Sequence, residues 1–111
     1  MCERQKRVKF TFFTRHRHAF ASATADIVPI EFVIRNIVTG SLTKRLGIED
    51  GTVLNKPLIE FYYKKDELGD PLVAKEHIYA FKWASVSELD LITEQCFRIN
   101  DFLQGMFRVI G

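Results

Sequence analysis

The sequence has few cysteines, prolines and glycines, and each scarcity excludes a class of protein. Its 111 residues include two cysteines, three prolines and six glycines. Cys2 and Cys96 have no metal-ligand spacing and are too few for a disulfide framework, so we expect a reducing, cytoplasmic location. So little proline and glycine argues against a fibrous or low-complexity chain. With 47% hydrophobic residues, the composition is that of a globular protein of one domain.

Long hydrophobic runs and signature motifs are absent as well. No apolar run approaches the roughly 20 residues of a membrane-spanning helix. The sequence contains no P-loop, Rossmann glycine pattern, nucleophile elbow or zinc signature. His16 and His18 flank Arg17 with no further ligand at a suitable spacing, and His77 falls in a predicted helical turn. We therefore predict no metal site built from these histidines and no membrane partner.

Charge is distributed unevenly along the chain. Residues 1–25 carry six basic residues against Glu3, a charge of +5, whereas the remaining residues carry ten basic and thirteen acidic residues, a charge of −3. The basic segment mixes aromatic residues with Arg and His and then reaches a run of Ala and Ser. Three interpretations stay open: a nucleic-acid-binding arm, a targeting peptide, or a terminus without a dedicated function. We favour the third, disfavour a nucleic-acid partner, and expect 1–25 to lie outside the folded domain of residues 26–111.

From Asp26 onward the pattern predicts strands and helices. Residues 27–38 and 57–64 are rich in β-branched and aromatic residues and predict two strands, the first with an apolar face at its even positions. A short helix is expected after Ser41, which we assign as its N-cap, with Gly47 just past its end. A turn follows at 65–71, where Pro71 favours an extended backbone at Asp70. Residues 74–81 predict a helical turn.

The clearest element is a helix over about 85–109. Leu89, Ile92, Cys96, Ile99, Leu103 and Met106 follow steps of three and four and form one stripe. Ser85 with Glu88, or Ser87 with Asp90, would start the helix as a capping box. The predicted fold is therefore α/β of the α+β kind, a small, mostly antiparallel sheet covered by a long C-terminal helix.

The spacing around the short helix indicates an anion site. A helix beginning at Gly40 and Ser41 would offer free backbone N–H groups. Arg35, a few residues earlier, is suited to a bidentate grip on a carboxylate or phosphate, and Lys44 and Arg45 add positive charge. The simpler alternative is a surface helix with basic residues and no ligand.

An acidic turn is a second candidate. Asp66, Glu67 and Asp70 have carboxylates of the kind that hold Mg²⁺ or orient an amine. On composition alone, a solvated loop is the better interpretation.

Two segments resemble the phosphoribosylaminoimidazole-succinocarboxamide synthase (SAICAR synthetase) family. The first runs from Val33-Ile34-Arg35-Asn36 into residues 40–51, which read Gly-Ser-Leu-Thr-Lys-Arg-Leu-Gly-Ile-Glu-Asp-Gly. The second comprises residues 60–64 and 66–72, with Glu76-His77-Ile78 behind them. The resemblance covers about residues 26–111 and implies a partial fold of that family.

The resemblance implies an activity and roles for individual residues. The family ligates 5-amino-4-carboxyimidazole ribotide to L-aspartate, with ATP and Mg²⁺ as cofactors and an acyl phosphate as intermediate. Arg35 and Ser41 match residues that grip the substrate. Gly40, Lys44, Arg45 and Asp70 fall within the shared motifs, and Asp26 and Ile27 match the hinge beside the adenine. No catalytic or metal-binding residue is assigned.

The sequence departs from the family pattern at both ends. Residues 1–25 contain no Gly-Lys-Ala-Lys-like nucleotide loop, and the Val-Asp-Phe-Lys-Leu-Glu-Phe-Gly and Asp-Glu-x-Ser-Pro-Asp segments are absent. We therefore expect a central fragment that lacks the N-terminal nucleotide lobe and the C-terminal sheet and is inactive alone. A complementary fragment or a second copy is the expected partner. The alternative is a non-catalytic assembly module that uses the 85–109 helix.

Overall fold

The computed structural model describes residues 6–17 and 23–110, with side chains described at 6–12 and 28–109. The strands are β1 (Arg7–Arg17), β2 (Ala23–Ile37), β3 (Val53–Tyr63) and β4 (Leu72–Val73). The helices are α1 (Ser41–Leu46), α2 (Lys75–Ala80) and α3 (Val86–Ile110), and a 3-10 turn spans Asp66–Leu68. The strands form one antiparallel sheet in the order β1-β2-β3-β4. This confirms the predicted α+β class with a long C-terminal helix.

The side chains of β2 alternate between the two faces of the sheet. Its even positions Val28, Ile30, Phe32 and Ile34 are buried in the core, as the alternation predicted. Phe32 packs edge-on against Phe12 of β1 and Phe61 of β3, with ring centroids 5.4 and 5.7 Å apart. The odd positions of β2 face the other side of the sheet, where the polar site lies.

The helices α2 and α3 complete the core. Ile78 of α2 and Leu89, Ile92 and Cys96 of α3 are buried in the same cluster as the β2 side chains. Burial raises the pKa of the Cys96 thiol to about 12. No helix in the described ranges combines the length and apolar character needed to cross a membrane.

The start of α3 follows the predicted capping box. The Ser85 hydroxyl accepts a hydrogen bond from the Glu88 backbone N–H at 3.1 Å, and Glu88 Oε1 accepts one from the Ser85 N–H at 3.0 Å. These bonds satisfy two N–H groups that a helix N-terminus leaves without partners. Of the two predicted capping boxes, the structure forms the one between Ser85 and Glu88.

The apolar stripe of α3 is buried only in its first half. Beyond Cys96 the buried residue is Asn100, 1% exposed, whereas Ile99 is 40% exposed. The side-chain amides of Asn100 and Asn36 exchange two hydrogen bonds, each 2.9 Å long. Because Asn36 belongs to β2, this amide pair fixes the rotation of α3 against the sheet and leaves Met106 exposed.

The N-terminal basic segment contributes to the sheet, contrary to the expectation that residues 1–25 lie outside the fold. Arg7–Arg17 forms the edge strand β1, paired with β2. Its side chains alternate, with Phe10 and Phe12 packed against the core and Lys9 on the opposite face. A register shift between Thr11 and Phe13 interrupts the alternation, which obscures the strand period in the sequence.

Candidate functional site

A cleft of about 230 Å³ lies on the face of the sheet away from the core. Its lining residues come from β1, β2, β3, the start of α1 and the turn before β4, and they are Arg7, Lys9, Glu31, Val33, Arg35, Ser41, Tyr62 and Asp70. The cleft therefore joins three of the predicted site residues, Arg35 and Ser41 from neighbouring positions and Asp70 from a distant part of the sequence.

Arg35 is the centre of a hydrogen-bond network at the base of this cleft. Its Nε donates to Glu60, its Nη1 to the Thr39 carbonyl at 3.5 Å, and its Nη2 to Ser41 Oγ at 2.8 Å. A fourth bond joins Nη2 to the Tyr62 hydroxyl at 3.1 Å. The Arg35 side chain is thus held in one orientation, and the residue is 1% exposed.

Glu60 is the carboxylate that bonds to two guanidinium groups. Its second oxygen accepts a bond of 2.6 Å from Arg45 Nη2, and the Tyr62 hydroxyl donates to Oε1 at 3.1 Å. Burial alone would raise the pKa of Glu60, but the hydrogen bonds and charges of Arg35 and Arg45 lower it. Burial alone would likewise lower the pKa of Arg35, and Glu60 with Tyr62 raises it. Arg35 and Glu60 are therefore both charged at neutral pH.

Gly40 places the Ser41 hydroxyl in this network. Gly40 is the N-cap of α1 and has a φ of 56°, so Ser41 is the first residue inside the helix and is not its N-cap as predicted. A residue with a Cβ rarely adopts this φ, which explains the glycine. Because the chain turns at Gly40, the Ser41 hydroxyl points to Arg35 and makes no capping bond. Gly47 ends α1 in the left-handed conformation, as expected.

The turn before β4 brings Asp70 to the rim of the cleft. Asp70 has a φ of 48°, so the extended backbone predicted from Pro71 is wrong. Its Oδ1 accepts a hydrogen bond of 2.8 Å from the Lys65 N–H, and its own N–H donates to the Lys65 carbonyl at 3.2 Å. Such local bonds allow aspartate to adopt this conformation.

The other candidates lie at different distances from the cleft. Arg45 reaches it through Glu60, whereas Lys44 is exposed on α1 and does not line it in the described part of the chain. Tyr62 and Glu60 also belong to the site. The sequence pattern placed them on the polar face of β3 but assigned them no role in binding. The available signal was their period-two spacing opposite Ile59, Phe61 and Tyr63.

The structure describes the nucleotide and metal candidates less fully. Asp26 and Ile27 pair with Thr14 and Phe13 in the β1–β2 ladder, but their side chains lie outside the described residues. Among the residues that the structure describes, no group of three or more His, Cys, Asp or Glu side chains is arranged to hold a metal ion. The described residues therefore do not, by themselves, fit a Mg²⁺ site.

Comparison with known sequences gives one consistent family. The chain is 62% identical over 86 residues to the phosphoribosylaminoimidazole-succinocarboxamide synthase of Pelagibacter ubique, which is 78% of this chain and 33% of the relative. The enzyme of the same name from Sinorhizobium medicae is 59% identical over 86 residues, covering 78% of this chain and 34% of the relative. The chain thus spans about a third of the length of these relatives.

Solved structures and a family model agree with the sequence relatives. The phosphoribosylaminoimidazole-succinocarboxamide synthase of Ehrlichia chaffeensis superimposes with a TM-score of 0.74 at 42% identity, over 80% of this chain and 39% of that one. A SAICAR synthetase in complex with ADP gives a TM-score of 0.69 at 33% identity, over 85% of this chain and 42% of that one. The family model for SAICAR synthetase matches residues 2–111, which include the basic segment. The chain belongs to the SAICAR synthetase family.

Proposed function

We propose that this chain is part of a ligase of purine biosynthesis that condenses 5-amino-4-carboxyimidazole ribotide with L-aspartate, using ATP to activate the carboxylate through an acyl phosphate. Its share of the reaction is to hold the ribotide in the cleft. The observation that carries the proposal is that Arg35 and Ser41 of the first family-like segment and Asp70 of the second lie around one cleft. A cytoplasmic location belongs to the same proposal.

The charges of the cleft suit such a ligand. The ribotide carries a phosphate on its ribose, and a carboxylate and an amino group on its imidazole ring. It therefore needs cations, hydrogen-bond donors and an acceptor. Arg7 and Lys9 supply positive charge, Ser41 supplies a hydroxyl, and Asp70 supplies an acceptor at the rim. A fixed arrangement of these groups would orient the carboxylate for attack by the aspartate amine.

ATP and Mg²⁺ enter the proposal as cofactors of the whole reaction. ATP supplies the phosphoryl group that turns the carboxylate into an electrophile. A family member was solved in complex with ADP. Since the chain spans about a third of its relatives, we propose that the 111 residues alone bind the ribotide and do not turn it over.

Calorimetric titration of the purified chain with the ribotide tests the binding step. Ser41→Ala removes the hydroxyl that bonds Arg35 at 2.8 Å, and we expect affinity to fall about fivefold to tenfold. Ser87→Ala, an exposed serine on α3, is the matched control and should bind as the unmodified chain does. Failure of the unmodified chain to bind the ribotide would refute the proposed function.

A second assay addresses turnover. Release of ADP is followed with the ribotide, L-aspartate and Mg-ATP present, and Arg35→Ala serves as the background. We expect equal rates for both proteins. Faster release by the unmodified chain would show that the 111 residues contain a working active site and would contradict the assignment of binding alone.

An assembly module built on α3 is the second candidate. Ile99, Phe102, Met106 and Val109 lie at helical spacing and are between 40% and 84% exposed, which favours a partner on this face. Analytical ultracentrifugation over a concentration series distinguishes the two candidates. A monomer at all concentrations would exclude self-association through α3. A dimer that Phe102→Glu abolishes would support it.

A further inference from the structure

Arg7 is the cation of the cleft that has no carboxylate partner in the described part of the chain. Lys9 pairs with Glu31 at 3.5 Å. Arg35 and Arg45 share Glu60. These pairings leave Arg7, which lines the cleft and is half-buried at the start of β1.

Arg35 is poorly placed to grip a ligand directly. A guanidinium has five N–H groups, and four bonds from Arg35 already run to Glu60, Thr39, Ser41 and Tyr62. With 1% of the residue exposed, it has no open edge for a second bidentate partner. The network therefore uses Arg35 to build the floor of the cleft.

The bond between Arg35 and Ser41 determines what Ser41 offers to a ligand. Ser41 Oγ accepts from Arg35 Nη2, so the hydroxyl hydrogen stays available as a donor. Ser41 is exposed and lines the cleft. A ligand oxyanion that accepts from this hydroxyl also needs a neighbouring positive charge.

The register of β1 and β2 places that charge. Arg7 stands directly opposite Arg35, and two like charges at opposing positions of a ladder repel one another. The two oxygens of Glu60 already bond to Arg35 and Arg45, so Glu60 is not a partner for Arg7. We infer that Arg7 binds an oxyanion of the ligand held in the cleft, a role that rests on the proposed function.

The ribotide has two oxyanions, the carboxylate and the phosphate, and a set of three ligands distinguishes them. The unmodified chain and its variants are titrated with the ribotide, with the analogue that lacks the carboxylate and with the riboside that lacks the phosphate. Arg7→Gln removes the charge at similar length, and Arg7→Lys keeps the charge without the planar fork. Lys56→Ala removes one positive charge from an exposed position outside the cleft lining and is the matched control. Far-UV circular dichroism and thermal midpoints check that each variant is folded.

We expect Arg7→Gln to weaken ribotide binding about tenfold and Arg7→Lys to weaken it less. The loss should vanish with the analogue that lacks the oxyanion facing Arg7, while Lys56→Ala binds within about twofold of the unmodified chain. Ribotide binding that survives Arg7→Gln unchanged overturns the inference and leaves the proposed function standing. Equal losses with all three ligands, or an equal loss in Lys56→Ala, also overturn it, because they indicate a long-range charge effect. No ribotide binding by the unmodified chain refutes the proposed function itself.

Discussion

Removing the charge of Glu60 tests how the cleft is held together. Glu60 is 8% exposed and is the carboxylate to which both Arg35 and Arg45 bond. Glu60→Ala deletes the acceptor for both guanidinium groups and leaves Arg35 charged in a buried position. Glu60→Gln keeps the shape and one acceptor oxygen but removes the negative charge. Both variants should lower the free energy of unfolding, by different amounts.

The structure sets the size of each effect. Removing one partner of a buried ion pair costs about 3–5 kcal/mol, since an unpaired charge is left behind. We expect a loss of this size for Glu60→Ala. In Glu60→Gln the side-chain amide oxygen would still accept from the charged Arg35 Nε. Only the negative charge of the acceptor is lost, so the expected loss is smaller, about 1–2 kcal/mol. The Arg45 side chain is a third exposed and loses little, because water replaces Glu60 as its partner.

Urea unfolding at pH 7, followed by far-UV circular dichroism, measures these differences. Glu94→Gln is the control, because the ion pair of Glu94 with Arg98 is long, at 3.9 Å, and mostly exposed. We expect that control to change stability by less than about 0.5 kcal/mol. The double variant Arg35→Met with Glu60→Leu should be less destabilised than the sum of its single variants, because no buried charge remains unpaired.

Two results would refute this reasoning. If Glu60→Ala changed stability no more than Glu94→Gln, the buried network would contribute nothing to the fold. If the Arg35 and Glu60 substitutions were strictly additive, the two residues would not be coupled. Either result would also remove the argument that Arg35 forms the floor of the cleft.

Three other contacts of the fold and the cleft give predictions of their own. Asn100→Ala leaves the Asn36 amide without its partner and should cost about 1–3 kcal/mol in urea unfolding, whereas the exposed control Asn55→Ala should be near neutral. Gly40→Ala forces a Cβ onto a φ of 56° and should cost about 1–3 kcal/mol, and an unchanged thermal midpoint would contradict this strain. Because the pKa of Glu60 is lowered on folding, the unfolded chain binds more protons in acid; the Glu60 contribution should be complete above about pH 4.3 and decline as pH falls towards the native pKa. Urea midpoints from pH 7 to pH 3 should therefore fall less steeply for Glu60→Gln than for the unmodified chain.

The local features of the fold were readable from the sequence. The alternation in β2, the capping box at Ser85 and Glu88, and the end of α1 at Gly47 each depend on residues close together in the chain. A period of two or a preference for a cap is a property of the local backbone, so it needs no knowledge of distant partners. The family-like segment around Arg35 was also recognisable in the sequence, because its residues are contiguous.

The strand β1 was missed for a physical reason. Val8, Phe10 and Phe12 share one face and alternate with Arg7, Lys9 and Thr11, but a register shift follows and the basic composition hides the pattern. An edge strand is stabilised by the ladder that it forms with its neighbour, and that ladder joins residues as far apart in the sequence as Arg7 and Arg35. Only the sheet as a whole shows that the basic segment contributes cations to the cleft.

The sequence by itself determined the order of β2, α1, β3, α2 and α3, the face of β2 that is apolar and the family. The tertiary structure decided that Arg35 is bound to Glu60, 25 residues away, and is buried with four hydrogen bonds. It also decided that Asn100, and not Ile99, turns inward on α3, because Asn36 offers a matching amide from the sheet. Both outcomes depend on pairs of polar groups that come into contact only after folding. The pattern of residues along the chain does not indicate such pairs.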